Sequence, residues 1–146
     1  MGAGSLSSSE PLKVFSKMEP STLLVVLFSP KHVTTRVDLN ASTEILQVAS
    51  IPLLIGTRVK PHKHNLVARE TLGTNEAWVV MRGSIKMEIF DLDDKSLGNW
   101  LLEQGAIAVS LKGGHGLTSL QSDTLVYEFK NGPYWGPDVD KVQIQH

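Results

Sequence analysis

The chain has 146 residues, a formal net charge of −1 and 41% apolar side chains, which is one domain's worth of sequence and too apolar for a disordered chain. It holds no cysteine, so disulfides and thiolate metal sites are excluded and any bound metal must take nitrogen and oxygen ligands. Its Lys and Arg form no basic stripe, and no apolar run nears the roughly 20 residues that span a bilayer, so neither nucleic acid nor a membrane is an expected partner.

The N-terminus reads Met1-Gly2-Ala3-Gly4-Ser5-Leu6, then Ser7-Ser8-Ser9. It lacks the charged start and apolar stretch of a secretory signal. Leu6 stands where a myristoylation signal needs Ser or Thr. Residues 1–11 read as a flexible polar tail, residues 12–146 as one domain, and the cytoplasm as the expected location.

From there the pattern is strand-like. Candidate strands cover residues 23–29, 33–39, 45–49, 53–64 (with a break at Pro61), 66–71, 76–82 and 99–103. Residues 42–48 fit one helical turn as well as a strand. In the stretch 84–89, Ile85, Met87 and Ile89 alternate with Ser84, Lys86 and Glu88, the period of a half-buried strand. Residues 106–111 and 124–130 alternate too, which puts Tyr127 and Phe129 in the expected core. Gly73, Gly83, the acidic run Asp91-Leu92-Asp93-Asp94, Gly105 and the pair Gly113-Gly114 supply turns between the strands. Many short strands at this spacing predict an all-β sandwich or barrel.

Of the five histidines, His62 and His64 carry the chemistry. Alternate residues of a strand share a face, about 6.5–7 Å apart, and two imidazoles on that face can converge on one ion at about 2.0–2.1 Å each. His32 follows Pro30-Lys31 in a turn and His146 ends the chain; both read as exposed and without function. Arg58 and Lys60 share the face of the His pair and, with Arg69, are a solvated face or an anion-binding group. The three tryptophans, Trp78, Trp100 and Trp135, read first as packing, with Trp78 on the Glu76 face and able to line a pocket. Tyr134 and Trp135 are placed to close one end of a barrel.

The spacing around these histidines resembles the two-part signature of the cupin superfamily. The first part is Gly56-Thr57-Arg58-Val59-Lys60-Pro61-His62-Lys63-His64, followed by Glu76 and, after six residues, Gly83. The second runs from Gly105 through Leu111 and Gly113-Gly114 to His115, with Leu111 where proline is usual and one residue fewer before the histidine. The stretch Glu128 to Tyr134, with Asp138, Asp140 and Lys141, is similar to a branch of small cupins associated with polysaccharide and sugar biosynthesis.

This resemblance, over roughly residues 50–130, implies a cupin-type double-stranded β-helix, or jelly-roll, barrel. It implies one divalent transition metal (Zn, Fe, Mn, Ni or Co by ligand type) held by His62, His64, Glu76 and His115. Eleven residues separate His64 from Glu76. If residues 66–71 and 76–82 form a hairpin about Gly73, Glu76 stands about 17–20 Å from His64; if residues 65–75 loop out, it can ligate. Glu70 is the substitute carboxylate, and a three-histidine site is the remaining option. The implied function is an enzyme acting on a small polar molecule such as a sugar, by isomerisation, epimerisation or oxygen chemistry at iron. Glu70, Glu76 and Tyr127 are the candidate bases. The alternative is a non-catalytic binding or regulatory module. A homodimer is also implied, with residues 23–29 as the edge strand for a partner.

Overall fold

The computed structural model describes residues 4–6, 10–31 and 33–145; His32 and His146 lie outside them. Strands form over alternating stretches, as at 84–90, and over apolar runs, as at 23–28. They are β1 (Gly4–Ser5), β2 (Leu12–Phe15), β3 (Leu23–Phe28), β4 (Val37–Asp38), β5 (Ala49–Ser50), β6 (Glu76–Arg82), β7 (Ser84–Phe90), β8 (Ser96–Glu103), β9 (Ile107–Ser110), β10 (Gly114–Ser119) and β11 (Leu125–Lys130). A single helical turn, α1 (Pro137–Asp140), follows.

Three sheets result: a four-stranded one in the order β1-β8-β7-β10, a five-stranded one in the order β11-β6-β9-β3-β2, and the small pair β4-β5. All neighbours are antiparallel except β1 and β8. Leu24 and Leu27 of β3 and Trp78 and Val80 of β6 pack with Ile85, Met87 and Ile89 of β7 and Leu102 of β8. That cluster draws on both large sheets, so the core lies between them. On the far side of the five-stranded sheet, Val26, Phe28, Ala77 and Val109 pack under Leu39 and the half-buried Val33, Val37, Leu46 and Val48. The stretch from 33 to 50 therefore seals this face.

The chain crosses between sheets at tight corners. Gly83 alone separates β6 from β7, which belong to different sheets. Its φ is +75°, and a Cβ there would come within 2.5 Å of Thr124 Oγ1, so the corner admits only glycine. Gly113, at φ +69°, turns the chain from β9 into β10, and a Cβ there would meet Phe90 O at 2.5 Å.

Several expectations need correction. Among the described residues the sheets do not close into a barrel: β10 and β11 each pair on one side only. Residues 51–75, expected to hold two strands, have no regular structure. Pro52 and Pro61 each lack a donor, and a strand without a pairing edge has nothing to hold it; apart from Pro52, residues 51–74 are exposed. Tyr127 and Phe129, each 51% exposed, face outward rather than into the core. β3 pairs with both β2 and β9, so residues 23–29 offer no free edge. Within the expected tail, Gly4–Ser5 pairs with β8 and Leu6 packs on the core. The acidic run 91–94 is a hairpin turn, as expected: Asp91 accepts hydrogen bonds from Ser16 Oγ and from the backbone N–H of Lys17 and Leu92.

Candidate functional site

β6, β9 and β10 bring Glu76, Ser110 and His115 together. Register decides this: Glu76 on β6 is the cross-strand partner of Ser110 on β9, and paired residues point to the same face. The Gly113 corner then carries the chain back so that His115, the second residue of β10, faces both.

Glu76 Oε2 lies 3.0 Å from His115 Nε2. Its other oxygen, Oε1, is 3.0 Å from Lys130 Nζ. Lys130 also reaches Glu128 Oε1 at 2.6 Å and sits 4.8 Å from the ring centre of Tyr134. Trp78 Nε1–H donates to Glu128 Oε2 at 3.2 Å, and its ring lies 4.5 Å from the His115 ring at a 58° tilt. Ser110 Oγ is 3.2 Å from His115 Nδ1. The result is one connected polar chain, Ser110–His115–Glu76–Lys130–Glu128–Trp78.

Burial gives this chain its electrostatics. The Glu76 side chain is 8% exposed and that of His115 27%, so solvent screens the pair weakly. The hydrogen bond from His115 is the largest influence on the Glu76 carboxyl. Burial opposes it and Lys130 assists it, and the carboxyl drops from its ordinary 4.5 to about 2. Glu128 above all, and Glu76 after it, hold the Lys130 ammonium well above its ordinary range against the effect of burial. Both carboxylates and the ammonium are therefore charged across the physiological range.

These groups line a cleft of about 760 Å³, within the size range of small-molecule sites. Glu76, Trp78, Ser110, His115 and Glu128 form one side, and Tyr134 and residues 139–144 cover it. Ile144 fills the space that a Cβ on Gly114 would take. At the cleft rim, buried Asn75 donates from Nδ2 to Leu111 O at 2.9 Å and from its backbone N–H to Asn131 Oδ1 at 2.7 Å. It pins the point where the irregular segment enters β6.

Of the four expected ligands, the structure brings together Glu76 and His115. His62 and His64 lie on the exposed segment, away from the cleft lining. Their rings are 5.3 Å apart, and His62 Nδ1 contacts Lys60 O at 2.9 Å. No hairpin forms about Gly73, so the geometry that would hold Glu76 far from His64 is not adopted. Glu70 is exposed on the same segment, and Tyr127 faces outward on β11; neither reaches the cleft. Trp78 lines the cleft and packs into the core at once. Trp100 packs against the core, whereas Trp135 is 71% exposed.

The donor chemistry suits a divalent ion at one point. Glu76 Oε2 and His115 Nε2 are an oxygen and a nitrogen donor of the kind such an ion takes, and here they stand at the 3.0 Å separation of an ordinary hydrogen bond. Among the described residues no group of three or more His, Asp and Glu side chains is assembled to hold a metal.

Sequence reasoning missed Ser110, Glu128 and Lys130. The signal was the register of β6 on β11, where Lys130 faces Glu76 and Glu128 faces Trp78. With the apolar Tyr127 and Phe129 assigned to the core, the alternation of β11 was assigned to the wrong faces. No protein-family model, curated protein or solved structure matches the chain. No helix among the described residues is long and apolar enough to cross a membrane.

Proposed function

We propose that this chain is a metal-binding protein of the cupin type that acts on a small polar molecule, a sugar or sugar derivative, in the cleft around Glu76 and His115. The observation that carries the proposal is the Glu76–His115 contact, two metal-competent donors 3.0 Å apart beside β10, which pairs on one side only among the described residues.

In this reading residues 51–72 add along that edge and finish the jelly-roll barrel. The edge has open backbone groups, and the segment carries exposed apolar side chains, among them Ile55, Leu66 and Leu72. An exposed edge and an exposed apolar segment each favour being covered. Addition there brings His62 and His64 toward His115 and Glu76, completing a set of three imidazoles and a carboxylate. The ion, when bound, supplies Lewis acidity toward a carbonyl or hydroxyl oxygen. Lys130 holds Glu76 and Glu128 in place, Tyr134 offers a ring face to a sugar, and residues 139–144 restrict water.

A second reading, a binding module without turnover, draws support from the charge pairing. Glu76 is paired with His115 on one oxygen and with Lys130 on the other, which leaves no free base on that carboxylate.

Elemental analysis of the purified protein, before and after incubation with Zn, Fe, Mn and Ni salts, tests the first reading against a His62→Ala/His64→Ala variant. Near-stoichiometric metal in the parent and its loss in the variant are expected. Equal, negligible metal in both rejects the metal site. Sugar binding by a metal-free parent would then favour the second reading.

A further inference from the structure

We propose that residues 137–144 form a lid over the cleft, swinging about Gly136 and latched by Ile144, and that a small molecule enters and leaves when the latch lets go. The proposal goes beyond the reading above, since it holds whatever the cleft binds and with or without a metal.

The cleft is bounded on one side by Glu76, Trp78, Ser110 and Glu128 and on the other by residues 139–144. The two sides are held differently. Glu76 and Ser110 stand on β6 and β9, strands that are paired on both sides. Among the described residues, by contrast, the hydrogen bonds of residues 137–145 all close within the segment 135–141. The N–H groups of Val139 and Asp140 donate to Gly136 O, that of Lys141 to Pro137 O, and that of Trp135 to Asp140 Oδ2. Val139 and Val142 are 72% and 92% exposed. The segment is thus a self-bonded turn that rests on the body.

Ile144, half-buried, seats it. Its side chain occupies a notch at Gly114, where a Cβ would collide with Ile144 Cδ1 and lie 3.2 Å from Phe90 Cβ. The φ of Gly114 is not among the positive ones, so glycine serves here to leave room for the latch, not to turn the chain. One partly buried aliphatic side chain is the kind of anchor that opens locally. At the other end, Gly136 has φ +104° and nothing within 4 Å of its Cβ position, so the backbone can rotate there without collision. With the segment seated the cleft still holds about 760 Å³, room for a small molecule. The segment therefore covers the space and does not plug it, which is the work of a lid.

The chain holds no cysteine, so a single engineered thiol reports without background. Ser110→Cys places one on the cleft wall at a position 5% exposed, and methyl methanethiosulfonate is the small neutral probe that must pass the lid to reach it. Ser84→Cys, at the start of β7 and 7% exposed, is the control for general loosening. In the metal-free protein, adding Ile144→Ser is expected to speed modification of the Ser110→Cys thiol about 10-fold, as follows from loss of one partly buried aliphatic contact. Gly114→Ala, which fills the notch from its other side, is expected to do the same. The Ser84→Cys thiol is expected to keep its rate in both backgrounds. An unchanged rate for Ser110→Cys in the folded Ile144→Ser protein overturns the lid. Equal acceleration at both thiols overturns it too, since Ile144 then holds the fold together and not the cleft shut. No metal enters either arm, so both results leave the metal reading as it stands.

Discussion

Glu76 is nearly buried, held by His115 on one oxygen and Lys130 on the other, and its carboxyl is depressed from 4.5 to about 2. In the unfolded chain it titrates at its ordinary value. Its contribution to stability is therefore full above about pH 4.5 and is lost as the pH falls through about 2, on the order of 3 kcal/mol in all. For the metal-free protein, the urea midpoint should fall more steeply across that window than in a Glu76→Gln variant. Equal slopes would mean that the folded protein does not hold the carboxylate this way. Removing Lys130 tests the same carboxylate from its other side: Lys130→Met should lower the midpoint at pH 7, because it leaves Glu76 with the His115 contact alone and a carboxylate oxygen unpaired. At this scale the sequence was informative where spacing sufficed. Glu76 and His115 stood out because the spacing around them resembles the cupin signature, with one residue fewer before His115. Ser110 and Lys130 did not, because their roles come from cross-strand register, which no local pattern encodes.

Whole strands were more legible than their partners. The stretch 76–82, bounded by Gly83, and the alternating stretch 84–89 form β6 and β7 almost to the residue. β10, by contrast, begins with Gly114-His115-Gly116, and glycine there hides a strand in what looks like a turn. The segment 51–72 has strand-like composition yet no regular structure, since a strand needs an edge as well as a suitable sequence. Its exposure makes it the first target of a protease. Limited trypsin digestion of the metal-free protein should cut first after Arg58, Lys63 and Arg69, with Lys60 spared by Pro61; early cleavage within β7 or β8 instead would contradict the fold described. At the sheet corner, Gly83→Ala should cost about 1–2 kcal/mol or more by chemical denaturation, because alanine is strained at positive φ and its Cβ would meet Thr124. A neutral outcome would mean that the corner relaxes.

At the scale of the whole molecule, all-β character followed from the frequency of short alternating runs and turns, and the sandwich with its shared core bears that out. Closure into a barrel is a different matter, since it depends on which edges meet. Among the described residues the edges of β10 and β11 stand open beside a cleft that holds half of the proposed ligand set, while the other half lies on the segment 51–72. The central claim is that a metal ion joins the two halves by drawing residues 51–72 onto the edge of β10. Amide hydrogen exchange of the full chain, with and without zinc, tests it most directly. Fast exchange across residues 53–66 without metal, and protection there and along β10 with it, is the predicted result. Zinc bound at Glu76 and His115 with no protection of residues 53–66 would contradict it.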